Sequence, residues 1–155
     1  MYKIIILLAI SIFWQNTIAQ KTPIPIPVTK SFATQFPAGH LKKWQQSKAG
    51  YIATFQQNHK KYLATFSPQG EWKETESNVK WTRDLPKATR DAWNNCQYKD
   101  WLILDMKEIM EPLRVFYIIH VGQVQSLGPD DADIGSEYLL YFSEKGQLIK
   151  VERHY

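Results

Sequence analysis

This 155-residue sequence contains a single cysteine, Cys96, and seven glycines that nowhere cluster. One cysteine excludes an intramolecular disulfide framework and any multi-cysteine metal site, and without a glycine cluster there is no loop of the kind that cradles phosphate. No Gly-x-Ser-x-Gly turn is present to carry an activated serine. The four histidines, His40, His59, His120 and His154, include no pair three or four residues apart. Local spacing therefore specifies no metal site, which would require convergence that spacing does not reveal, and neither metal nor cofactor is expected. Basic residues form no dense run beyond the pairs Lys42-Lys43 and Lys60-Lys61, which argues against nucleic acid as a partner. No apolar run approaches the roughly 20 residues a helix needs to cross a bilayer, so no membrane span is expected.

What is present points outward from the cell. Lys3 precedes an apolar run over residues 4–14, and a polar stretch ends in Thr17-Ile18-Ala19. This is the pattern of a secretory signal peptide over residues 1–19, cleaved after Ala19, and it predicts a periplasmic or secreted protein. A proline-rich linker over 20–26 follows.

Six Trp, eight Tyr and seven Phe are a heavy aromatic load for this length, and aromatics favour pleated, half-buried surface. Charge divides unevenly. Residues 20–80 hold nine lysines against three glutamates, whereas residues 81–155 hold nine basic and twelve acidic side chains. The two halves are expected to attract weakly when packed, and a basic first half would steer an anionic partner.

The chain also repeats itself. Ile26-Pro27-Val28 opens a segment containing Phe32, Phe36-Pro37, Trp44, Tyr51, Phe55, Tyr62, Phe66 and Ser67-Pro68-Gln69-Gly70. Leu85-Pro86-Lys87 opens a second in the same order, ending in Phe142-Ser143-Glu144-Lys145-Gly146. The expected division is repeat 1 over 27–80 and repeat 2 over 81–155, with an insertion at about 122–136, the two forming one domain. Each repeat begins with a short helix, because proline at the first helical position loses no hydrogen bond. Val28, Phe32 and Phe36 mark the buried stripe of the first, and Leu85, Ala88, Ala92 and Cys96 that of the second. Short alternating runs at 41–46, 51–57, 61–67 and 71–76, then 101–106, 115–121, 137–142 and 148–153, read as strands joined by tight connections. The predicted fold is α+β: two tandem helix-plus-four-strand repeats forming one antiparallel sheet, with both helices packed on one face.

A sheet covered on one side leaves the other open. Alternation directs Tyr117, Ile119, Val121, Tyr138, Leu140 and Phe142 inward, leaving Phe116, Ile118, His120, Leu139 and Tyr141 on the open side. So apolar an outward set marks an interaction surface, unless the insertion folds back over it or a second copy of the chain covers it. Trp44, Trp72, Trp101 and Tyr141 are candidate aromatic anchors for a partner on this face. Asp130, Asp131 and Asp133 in the insertion read first as a solvated acidic loop; they are also the best set of oxygen ligands for a cation, although the glycine is misplaced for an EF-hand and no glutamate closes the loop at the required distance.

The combination of Ile-Pro-Val opening a helix, Phe-x-x-x-Phe-Pro closing it, Trp44, Tyr-x-x-x-Phe, and Lys61-Tyr62 through Gly70-Glu71-Trp72, echoed in the second half, resembles the PepSY-like, beta-lactamase-inhibitor-like family of exported bacterial proteins. The resemblance spans about residues 26–152. It implies a tandem helix-plus-sheet fold whose open sheet face and hairpin loops grip a partner, and no established activity for most members. The expected function is a non-enzymatic exported module that binds a protein or peptide, with a self-associating envelope protein as the alternative and an enzyme as a third.

Overall fold

The computed structural model describes residues 23–128 and 131–155. The expected signal peptide, the first part of the expected linker (20–22) and Asp130 lie outside the described residues. The elements are α1 (Ile26–Gln35), β1 (His40–Ser47), β2 (Gly50–Gln57), β3 (Lys60–Phe66), β4 (Trp72–Asn78), a 3-10 turn (Thr82–Asp84), α2 (Lys87–Asn95), β5 (Leu102–Glu111), β6 (Arg114–Gly128), β7 (Asp131–Ser143) and β8 (Leu148–His154). All eight strands lie in one sheet in chain order, each antiparallel to the next. A chain-order meander needs only short connections, apart from the segment carrying α2 between β4 and β5.

α1 starts where Pro25 and Pro27 preset the backbone, and it stops where Phe36 leaves helical geometry before Pro37. It buries Val28 and Phe32 against Tyr51, Ala53, Phe55, Ala64 and Phe66 of β2 and β3. Phe32 meets the Trp44, Phe55 and Phe66 rings edge-on, at centroid separations of 5.6, 5.2 and 6.4 Å. Around α2 a second cluster gathers Leu85, Trp93, Met106, Tyr117, Ile119, Val121, Leu140 and Phe142.

The stripe of α2 differs from expectation. Thr89 and Trp93 are its buried positions, four and eight residues after buried Leu85, while Ala88 is exposed and Ala92 half-buried. The helical phase is taken by the largest ring. Small apolar residues chosen for their hydropathy fall one position out of register with it, although Cys96 does pack, half-buried, at the edge of the cluster.

Both clusters lie on the same side of the sheet. Ala53, Ala64, Thr75, Met110 and Val115 are consecutive cross-strand partners, so this row crosses the junction between the halves without changing face. Ion pairs cross that junction in both senses. Lys60 pairs with Glu108 at 2.7 Å and Lys107 with Glu76 at 3.3 Å.

The residues expected as an insertion prolong the β6–β7 hairpin as paired strand as far as Gly128 and Asp131. Ladder partners satisfy its backbone there. A bulge between Gly122 and Val124 bends the ribbon, and a Cβ on Gly122 would meet the Ile134 side chain at 2.5 Å. At that bulge the Ile134 side chain fills the space in front of Gly122. Asp133, expected as a cation ligand, accepts the Ile134 backbone N–H at 2.8 Å.

Candidate functional site

The face opposite the helices is a trough. Thr54 and Ile109 belong to it by register, yet they are only 5% and 6% exposed with no helix of the described residues above them, so flanking side chains close over them. Its second half is built by three rows. Ile109 pairs with Phe116, Ile118 with Tyr141, and His120 with Leu139. All four apolar members of the expected outward set, Phe116, Ile118, Leu139 and Tyr141, are half-buried, as is His120.

The Phe116 and Tyr141 rings lie 6.1 Å apart. Charged groups frame them. The Arg114 guanidinium sits 5.2 Å from the Phe116 ring centre and the Lys150 ammonium 5.3 Å from that of Tyr141, while the Tyr141 hydroxyl donates to Glu152 at 3.1 Å. Burial and the bond to Glu152 push the Tyr141 phenol above its ordinary pKa. It stays a neutral donor. An apolar centre with a polar rim is the anatomy of a protein contact surface.

Three expected anchors are elsewhere. Trp44 and Trp72 pack against the α1 cluster and Trp101 against the α2 cluster, all on the helix side. Trp44 pairs with Ala53, an inward position, and Trp72 donates its indole N–H to the buried Thr75 hydroxyl at 2.9 Å. Trp101 packs edge-on against Tyr98 and Tyr138. Ring size made these residues candidates for the open face, but strand parity places them with the core.

One site escaped sequence reading. Pairing of β3 with β4 ends at Leu63 and Glu76, and beyond it the strands splay to open a pocket of about 550 Å³ rimmed by His59, Lys60, Lys61, Lys80, Asp84 and Glu108. Glu108 accepts from Lys60 at 2.7 Å, Ser77 at 3.0 Å and Tyr117 at 3.2 Å. Burial opposes its ionisation, yet the Lys60 ammonium and the two hydroxyls outweigh this and hold the carboxyl below the usual range. Tyr117 moves upward, through burial first and then the Glu108 charge. The carboxylate is thus fully engaged and the phenol firmly protonated, so neither is poised to move a proton near neutrality. The only advance signal of this pocket was the opposed charge of the halves.

A second convergence also has no local signature. His120, Glu137 and His154, on β6, β7 and β8, come together on the open face, with His120 Nε2 2.7 Å from Glu137 Oε2.

An eight-stranded meander with two helices on one face and a troughed, apolar-centred second face defines an α+β protein of BLIP-like fold. The chain is similar to a BLIP-like protein from Bacteroides fragilis at 22% identity, with a TM-score of 0.74 over 84% of this chain and 86% of that one. It is similar also to a DUF2874 family protein from Bacteroides ovatus at 22% identity, with a TM-score of 0.72 over 84% and 88% of the two chains. A proposed periplasmic protein from Bacteroides eggerthii matches at 21% identity with a TM-score of 0.67 over 84% and 89%. At these identities the likeness is one of fold. No family model and no curated protein matches the chain. No helix among the described residues is long and apolar enough to cross a membrane.

Proposed function

We propose that this chain is an exported, non-enzymatic binding module that grips a protein or peptide across the open face of its sheet. The carrying observation is the half-buried cluster of Phe116, Ile118, Leu139 and Tyr141 on a face that no helix among the described residues covers, rimmed by Arg114, Lys150 and Glu152. Aromatic and aliphatic side chains already half out of water lose little on being ordered by a partner and gain by finishing their burial. The BLIP-like fold supports the reading, as does the proposed periplasmic neighbour, in keeping with the signal-peptide pattern of residues 1–19.

We further read the chain as a duplicated helix-plus-four-strand unit. Two turns support this. In each, a serine hydroxyl accepts a backbone N–H four residues on, Ser67 from Glu71 at 3.1 Å and Ser143 from Gln147 at 3.0 Å. In each, a left-handed glycine three residues after that serine, Gly70 or Gly146, presses on the first turn of a helix, at Pro27 or Ala88. Helix and final hairpin are therefore joined in the same way twice.

A second reading is self-association, in which another copy supplies the cover. The edge strand β8 favours it, because every residue of Leu148–His154 is exposed, Leu148, Ile149 and Val151 included. The test is replacement of Ile118 or Tyr141 by lysine. A binding module loses its partner with the thermal melt kept, whereas a homodimer drops to monomer mass by light scattering.

A further inference from the structure

We propose that His120, Glu137 and His154 form a binding site for a divalent transition-metal ion of the zinc class. The three residues project from consecutive strands onto one face. Glu137 is the direct cross-strand partner of His154, and His120 lies two residues along the β6 strand from Gly122, the other partner of Glu137. One imidazole nitrogen from each histidine and one carboxylate oxygen already lie within 4.8 Å of one another, and the two rings meet edge-on at 4.8 Å.

Zinc held tetrahedrally with bonds of about 2.1 Å sets its donor atoms about 3.4 Å apart. The observed His120 to Glu137 separation of 2.7 Å is inside that spacing, so this pair needs only to part slightly around an ion. His154 has to close the rest. It is exposed, so its side chain has room to turn toward the other two. Two imidazoles with one carboxylate suit zinc and its borderline neighbours, whereas calcium and magnesium take six or more oxygens. Three protein ligands leave a fourth position for water or an incoming group.

The surroundings agree. Asp105 is the cross-strand partner of His120 on β5, the flank away from Glu137, where a carboxylate can orient a ligating imidazole. Glu152, two residues before His154, adds negative charge near the ion while held by Lys150 at 2.8 Å and Tyr141 at 3.1 Å. All three donors stand on paired strand residues, with Glu137 in register with both Gly122 and His154, so little backbone order has to be gained on binding. The metal site is independent of whether the face holds a protein.

The test uses tag-free protein dialysed against zinc, and then against cobalt(II), whose tetrahedral complexes absorb strongly in the visible. The expected result is one equivalent of zinc bound with micromolar or tighter affinity, an intense cobalt spectrum, and a melting temperature raised by about 5 °C or more at a hundredfold excess over Kd. His154→Gln, at an exposed position, should weaken binding at least tenfold with the metal-free melt unchanged, and His120→Ala should weaken it at least as much, while His40→Ala and His59→Ala bind as the parent does. Less than half an equivalent at 100 μM zinc would overturn the proposal. So would affinity that survives the His120→Ala, His154→Gln double variant, or a cobalt spectrum of the weak octahedral type.

Discussion

Gly146, in the turn between β7 and β8, rests on the carbonyl of Ala88 in the first turn of α2, with φ of 80° and no room for a Cβ between them. Gly70 makes the corresponding contact in the first half, with φ of 89° and a would-be Cβ 2.6 Å from the Pro27 carbonyl oxygen. Alanine at either position faces both the left-handed penalty of about 1–2 kcal/mol and a backbone clash. Gly70→Ala and Gly146→Ala should each lose about 2–4 kcal/mol, read as a lower urea midpoint at unchanged slope. A loss below 1 kcal/mol for both would mean that the helices are not seated through these turns.

Thr54 carries a buried hydroxyl for which no hydrogen-bond partner is found among the described residues. An unsatisfied buried hydroxyl costs about 1–3 kcal/mol, and valine has nearly its shape without the cost. Thr54→Val should therefore stabilise the protein by about 1 kcal/mol in urea or thermal unfolding. Destabilisation would show that the hydroxyl is satisfied in solution by an ordered water.

The junction between the halves is held by Glu108. Its carboxyl titrates below its unfolded value, so the stability it contributes is present above the ordinary glutamate range and is lost as pH falls through the folded pKa. Lys60→Met leaves this charge half-buried without its cation and should cost about 1–3 kcal/mol at pH 7. In Glu108→Gln the acid limb of the stability profile, measured by urea unfolding between pH 6 and pH 3, should flatten. An unchanged acid limb would remove Glu108 from the account of the junction.

The tryptophans on the helix side behave as core. Trp72→Ala strands the buried Thr75 hydroxyl and opens a cavity beside Phe36, so about 3–5 kcal/mol should be lost in equilibrium unfolding. Were Trp72 an exposed anchor instead, the melt would barely move.

Much of this was legible from residue order, for identifiable reasons. Alternation in Tyr51, Ala53, Phe55 and again in Tyr117, Ile119, Val121 sets both strand identity and inward face, and both sets are buried. Pro27 and Pro86 mark the helix starts because proline pre-forms that backbone. Strand ends were less legible. β6 and β7 run well past the apolar alternation because a polar hairpin is held by its ladder, whatever its hydropathy. Size without phase misplaced Trp44, Trp72 and Trp101. The convergence of His120, Glu137 and His154 depends on which residues face each other across β6, β7 and β8, and bulges at Gly122/Val124 and Tyr141/Phe142 shift that register. Spacing along one strand carries no such information.

The open face is the centre of the functional account, and Tyr141 stands in the middle of it. The most direct measurement is affinity capture from envelope and medium fractions with the chain from residue 20 onward, beside its Tyr141→Lys form, after matched thermal melts establish that both are folded. A binding face predicts one protein enriched by the parent and absent with the variant at equal melting temperature. A protein captured equally by both, or capture of nothing but the bait, would contradict it.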